Sequence, residues 1–185
     1  MATGRAEPFL AEMRAEFPHF TLVYKRDSWV CHVLHVALLV VTLGGQRLFL
    51  TGYYTVLGDT LYVPDSWDQL GDADRVILLR HERVHLRQRR RYGSLGMTLL
   101  YLLPFFPLGL AYGRARIEWE AYTETLRATL ELRGEHALRS PALKERIVSQ
   151  FTSAAYGWMW PFKATVEGWF DEAVERVVRE RAIPR

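Results

Sequence analysis

Cysteine is almost absent from this sequence, since Cys31 is the only one among 185 residues. A single cysteine excludes an internal disulfide framework and favours a reducing compartment. The first 17 residues also lack the charged-then-apolar layout of a secretory signal peptide, because they are polar and carry Glu7, Glu12 and Glu16. We therefore expect a cytoplasmic protein.

A strong excess of one charge is lacking as well. The 24 basic and 21 acidic side chains leave a net charge of +3, which is too small to indicate a nucleic-acid partner by itself. No nucleic-acid fold motif or interleaving of basic and aromatic residues is present, so we expect no nucleic acid. An apolar fraction of 49% excludes a disordered chain. The length suits one compact domain over residues 1–185, of unknown oligomeric state.

Two apolar runs are candidates for membrane contact. Residues 92–113 carry no charge and are long enough to span a bilayer, but they include two prolines and four glycines, which disfavour a straight span. The second run, residues 29–43, is too short to cross comfortably. We expect both runs to belong to the core.

The pattern of elements predicts an α+β domain, with short strands early and helices afterwards. Ser28 is a plausible N-cap for the run to about Leu43, which is either a helix or a buried strand. Residues 48–54 and 60–63 predict a β-hairpin around the turn Leu57-Gly58-Asp59. A further strand is expected at residues 20–25, and helices are expected at residues 7–17, 114–132, 141–151 and 162–181. Another helix is expected to begin at Asp72 or Asp74 and to run to about Arg91.

The strongest chemical signal is the motif His-Glu-x-x-His at residues 81–85. On a helix, His81 and His85 project from one face about one turn apart, so two neutral nitrogens can reach one Zn²⁺. Glu82 is placed to take a proton from a zinc-activated water without being a ligand itself. The alternative is a chance motif on an ordinary helix, but the apolar residues around it put the histidines on the buried side.

A catalytic zinc needs a third protein ligand, and the helix at residues 114–132 offers Glu118 and Glu120. Glu120 shares a face with charged residues at positions 116, 124, 127 and 131, which is typical of a solvated stripe. Glu118 lies on the opposite, uncharged side. A carboxylate that faces the interior needs a partner, so we choose Glu118. Because His85 and Glu118 must then meet at one metal, residues 93–113 must double back, and Pro104 and Pro107 suit that reversal.

These residues carry a family resemblance. His-Glu-x-x-His followed by a helix with Glu-x-x-Ala, Glu118 to Ala121, is similar to the gluzincin zinc metallopeptidases, and the short chain resembles the minigluzincins. The resemblance covers residues 48–132 and implies a zincin-like fold with zinc on His81, His85 and Glu118. Tyr122 stands where many gluzincins have an acidic residue that braces a zinc histidine. Either another group orients His81, or that histidine is held less firmly.

The resemblance also implies an activity, the hydrolysis of peptide or protein substrates by an endopeptidase in which Glu82 is general base and acid. It implies that an extended peptide docks along the strand ending near residues 53–55. Tyr156 is our candidate donor for the developing oxyanion, with Tyr122, His32 and His35 as weaker ones.

Two alternatives stay open. One is a latent or non-catalytic zinc-containing binding or regulatory module. The other is a protein of the membrane surface that uses residues 95–112 and the arginines between positions 83 and 91.

Overall fold

The computed structural model describes residues 4–41, 43–102, 111–153, 159–160 and 162–183. Over these residues the chain is mostly helical with one small sheet, which confirms the expected α+β class. The chain forms two compact units, residues 1–82 and 83–185, and their boundary falls inside the longest helix. The expectation of one domain stays a prediction.

The first unit contains three strands, β1 (Thr21–Tyr24), β2 (Thr55–Leu57) and β3 (Thr60–Val63). Their order is β1-β3-β2. Strand β1 runs parallel to β3, and β2 runs antiparallel to it around the expected turn. Leu61 and Val63 of β3 are fully buried, so the central strand anchors the sheet to the core and leaves β1 and β2 at its edges.

One strand prediction is wrong. Residues 48–54 do not form a strand, because Phe49–Gly52 make a short helix, α3, and strand β2 begins only at Thr55. The physical reason is a long-range contact. Phe49 is buried and its carbonyl oxygen accepts a hydrogen bond from the Lys25 ammonium group, so a side chain satisfies this part of the backbone in place of a neighbouring strand.

Two longer helices precede the short helix α3. Helix α1 is Ala6–Glu16, and α2 is Trp29–Val41, which decides the open choice at residues 29–43 in favour of a helix. The Ser28 hydroxyl caps α2 by accepting from the Cys31 N–H at 3.3 Å. Beyond the helix end Gly44 adopts a φ of 84° and donates to Leu39 O. The expectation that this run is core is wrong for one face, which is exposed to solvent.

Helix α4 (Asp72–Leu102) carries the His-Glu-x-x-His motif. It begins at Asp72, whose carboxylate accepts from the backbone N–H groups of Arg5 and Ala6 at 2.8 and 3.0 Å. Gly93 interrupts the helix with a φ of 71°, two residues after the end expected near residue 91. Among the described residues, no helix has both the length and the apolar character needed to cross a membrane.

The chain returns after α4, as the sequence predicted. A Cβ atom on Gly113 would lie 3.1 Å from Leu100 Cδ2 and 3.2 Å from Leu100 O, so residues 100 and 113 are in contact. The expected role of Pro104 and Pro107 in this reversal falls outside the described residues.

The second unit is built on helices α5 (Tyr112–Leu138), α6 (Pro141–Thr152) and α7 (Lys163–Ala182). Their contact surface is apolar, with residues such as Leu126, Ile147 and Phe170 almost completely buried. Trp119 of α5 packs against the ring of Phe151 at 5.6 Å between centroids. This packing sets the rotation of α5 about its axis and therefore the direction of Glu118.

Candidate metal centre

Helix α4 holds His81 and His85 one turn apart, as four-residue spacing requires. Leu79 and Leu86 of the same helix are fully buried and orient the face on which the histidines lie. His85 is itself buried, whereas His81 is half-buried. The two imidazoles therefore lie at the border between core and solvent, where a metal can be held and still be reached.

Helix α5 supplies the third candidate ligand. Glu118 Oε2 lies 3.5 Å from His85 Nε2, and both side chains are largely buried. His81, one turn earlier on α4, completes the group, and one donor atom from each of the three residues lies within 4.8 Å of the others. The structure thus brings His81, His85 and Glu118 together. Glu120 is exposed, as the distribution of charges on the helix predicted.

The donors of this cluster fit a zinc ion. Ligand atoms about 2.0–2.1 Å from a tetrahedral metal lie about 3.3 Å from one another, and the His85–Glu118 separation of 3.5 Å is close to that value. Two imidazoles and one carboxylate are a donor set that catalytic zinc uses, with one position left for water or substrate.

Gln88 is a site residue that the sequence reasoning missed. Its side-chain oxygen lies 2.9 Å from His85 Nδ1. Its amide nitrogen donates to Ile117 O at 3.0 Å and to Glu120 Oε2 at 2.9 Å. Both of those partners are acceptors only, which determines the orientation of the amide and leaves its oxygen to face His85.

This orientation of Gln88 determines the tautomer of His85. Because an amide oxygen accepts but does not donate, the neutral imidazole must carry its proton on Nδ1. The Nε2 lone pair of His85 is then directed to the side where Glu118 lies and is available to a metal. The sequence did contain a pattern that marks Gln88 as a possible partner of His85. It is the one uncharged polar side chain between Arg87 and Arg91, and it lies one turn after His85.

Glu82 is buried, yet it is not part of the donor cluster. Lys25 interacts with it electrostatically within the first unit. Burial is the main cause that lowers the pKa of Lys25 from 10.5 to about 8, and the charges of Cys31 and Glu82 oppose this change. A buried carboxylate next in the chain to a candidate metal ligand has the placement that a general base needs.

Lys25 is a second residue that sequence reasoning missed. It is only 1% exposed. Its ammonium group donates to Phe49 O at 2.6 Å and to Thr55 Oγ1 at 2.9 Å, and it lies 3.8 Å from the centre of the Phe49 ring. No local pattern marks a lysine for burial, because all three contacts come from residues more than 20 positions away.

The other predicted candidates are not assembled at the cluster by any described contact. Tyr156 lies outside the described residues. Tyr122 packs on the Phe151 ring at 5.5 Å, in the core of the second unit. His32 contacts Arg26 O at 3.1 Å. His35 stacks on the Phe49 ring at 6.3 Å, and its Nδ1 atom is buried without a hydrogen-bond partner.

The cluster can hold a metal ion, with Gln88 orienting His85 and Glu82 next in the chain to His81. All of these groups are side chains of the protein itself. In comparisons with protein-family models, with curated proteins and with solved structures, the chain finds no match.

Proposed function

We propose that the protein is a zinc-dependent metallopeptidase that cleaves peptide bonds within a chain. The observation that carries this proposal is the juxtaposition of three donors, from His81, His85 and Glu118, with the buried carboxylate of Glu82 next to the first of them. Zinc at this position would supply a Lewis acid that polarises the scissile carbonyl and lowers the pKa of water.

Glu82 performs the proton transfers in this proposal. It accepts a proton from the attacking water and later donates that proton to the leaving amine, since one carboxyl group can serve as base and then as acid. Glu82 is adjacent to His81 in the chain but contributes no atom to the donor cluster. In the proposal, Glu82 therefore acts on protons and not as a ligand.

Gln88 and Glu120 form a supporting chain behind His85. The chain of hydrogen bonds runs from His85 Nδ1 to the Gln88 amide and on to Glu120 Oε2. Hydrogen bonds of this kind hold a histidine ligand in one tautomer and one orientation. In the proposal, Gln88 orients His85, whereas the acidic residue of the gluzincin resemblance would orient His81.

The strand expected to end near residues 53–55 is not formed, so the proposed docking edge for an extended peptide is strand β2, which begins at Thr55. It pairs with β3 on one side and stands at the end of the strand order β1-β3-β2. An edge strand offers backbone N–H and C=O groups to an added strand. The side chain of Lys25 anchors its first residue, Thr55, by a hydrogen bond of 2.9 Å. A zincin-like fold and a cytoplasmic location belong to the same proposal.

The test is peptide hydrolysis by the purified chain. The zinc-loaded protein should cleave a mixed pool of unstructured peptides, for example from casein, and chelation should abolish the cleavage. Glu82→Gln should lower the rate by about 100-fold or more, as loss of a general base does, with zinc content unchanged. Glu131→Gln, an exposed change on α5, is the matched control. Stoichiometric zinc without any cleavage would favour the binding or latent module instead.

A further inference from the structure

One face of α2 is apolar and exposed along the whole helix. Trp29, Val33, Val36 and Val40 follow the spacing of successive helical turns, and between 59 and 75% of each residue is exposed. The opposite face is attached to the first unit through Cys31, which is fully buried. We call these four residues the α2 stripe. Contiguous exposed apolar surface of this kind marks a contact site for a partner or a membrane.

The apolar surface continues past the end of α2. Leu43 is 95% exposed and adopts a φ of 50°, a left-handed conformation that a leucine rarely adopts. Leu48 is exposed as well. The Arg47 guanidinium group between them donates to Gly44 O at 3.1 Å. The turn after the helix therefore presents two leucines and one arginine to solvent.

We propose that the α2 stripe, together with Leu43 and Leu48, contacts the surface of a lipid bilayer. From residue 26 to residue 48 the charged side chains are Arg26, Asp27 and Arg47. The Arg26–Asp27 pair, 3.7 Å apart, lies before the helix, and Arg47 lies after it. A helix without charge, with tryptophan at one end and arginine near the other, matches the chemistry of the membrane interface.

The size of the patch favours lipid over a folded partner. The α2 stripe together with Leu43 and Leu48 comprises six residues, whereas a stable protein interface takes about 20–30 residues and about 800 Å² from each partner. A bilayer has no such minimum, because each side chain that enters it contributes separately. A helix of 13 residues is about 20 Å long, shorter than the hydrocarbon core of about 30 Å, so α2 would lie along the surface.

The sequence contains a second stretch of similar chemistry. Arg89, Arg90 and Arg91 directly precede the uncharged residues 92–113. Arginines next to an apolar stretch attract anionic lipid headgroups. This pattern supports a membrane as the partner of the α2 stripe.

Sedimentation of the full chain with vesicles of phosphatidylcholine and phosphatidylserine tests the proposal, and it requires neither zinc nor activity. The wild-type chain should pellet with the vesicles. Val36→Lys should lower its partition coefficient at least 10-fold, because a lysine in the stripe must leave water when the helix inserts. Ile183→Lys adds the same charge at another exposed apolar position and should leave partitioning unchanged or slightly stronger.

Three results would overturn the proposal. The first is no binding of the wild-type chain to vesicles. The second is binding that Val36→Lys leaves unchanged or strengthens, since adsorption by net charge alone would behave in that way. The third is a dimer in lipid-free solution that Val36→Lys disperses, which would assign the stripe to a second copy of the chain.

Discussion

The Nδ1 atom of His85 lies 2.9 Å from the side-chain oxygen of Gln88, one turn further along the same helix. This contact joins the candidate metal centre to helix α5, because the same amide donates to Ile117 O and to Glu120 Oε2. The orientation of the histidine therefore depends on a residue that is neither a ligand nor a catalytic group.

Replacing Gln88 should weaken zinc binding while the ligands remain. Gln88→Leu removes the acceptor for His85 Nδ1, so the imidazole loses its fixed tautomer. We expect zinc affinity to fall by about 10- to 100-fold, the usual effect of losing such a hydrogen bond. The measurement is competition with a chromogenic chelator at pH 7.5. Gln88→Glu keeps an acceptor for His85 but sets a carboxylate oxygen against Ile117 O and Glu120 Oε2, so it should restore the affinity only in part.

Arg90→Gln is the control for this prediction, because Arg90 is an exposed residue on the same helix. Its zinc affinity should match that of the wild type. Equal affinities for the wild type and Gln88→Leu would show that the Gln88 contact does not support the metal centre.

Lys25 should make the stability of the protein depend on pH in the alkaline range. Burial lowers its pKa in the folded state to about 8, against 10.5 for the free side chain. Well below pH 8 the Lys25 side chain holds its proton in both the folded and the unfolded state. Between about pH 8 and 10.5 the unfolded state holds more protons than the folded state, so the free energy of unfolding rises with pH, by at most about 1.4 kcal/mol per pH unit.

Urea denaturation at pH 7, 8, 9 and 10 measures this effect. Lys25→Met lacks the titrating group, so the difference in unfolding free energy between wild type and variant should grow in favour of the wild type above pH 8. Groups that do not interact with Lys25 titrate equally in both proteins and cancel in that difference. A constant difference across the range would contradict the lowered pKa.

Gly113 should not tolerate a side chain. A Cβ atom there would meet the Leu100 carbonyl oxygen at 3.2 Å, so the backbone would have to move. We expect Gly113→Ala to destabilise the protein by about 1–3 kcal/mol through overpacking, measured by thermal or urea unfolding. Gly168→Ala on α7 is the opposite case. An added Cβ atom at that position has nothing within 4 Å, and higher helix propensity should stabilise the protein by about 0.5–1 kcal/mol.

Most helices could be predicted from the sequence because their signals are local. Ser28 caps α2, Asp72 begins α4, and Gly93 and Gly134 leave the helical conformation near the expected ends. The shared face of His81 and His85 could be predicted for the same reason, because it depends only on their spacing. Choosing Glu118 as the third candidate ligand required one further step, which was to separate the charged face of α5 from the uncharged one.

The remaining features depend on contacts between distant residues. The expected strand at residues 48–54 is instead helical at residues 49–52, because Lys25 binds the Phe49 carbonyl group. Gln88 contacts His85 directly, but the orientation of its amide depends on Ile117 and Glu120, about 30 positions away. The exposure of α2 could not be predicted either, since an apolar helix is usually buried. Hydrophobic periodicity carries no information on which neighbours a helix acquires.

Metal analysis of three purified proteins tests the central claim most directly. Wild type, Glu118→Ala and Glu120→Ala are loaded with zinc, dialysed against metal-free buffer and measured by atomic emission. The account predicts one zinc per chain in the wild type and in Glu120→Ala, with the affinity of the latter lowered at most modestly. Glu118→Ala should lose the metal. Full zinc in Glu118→Ala, or loss of zinc only in Glu120→Ala, would contradict the assignment of His81, His85 and Glu118 as the ligands.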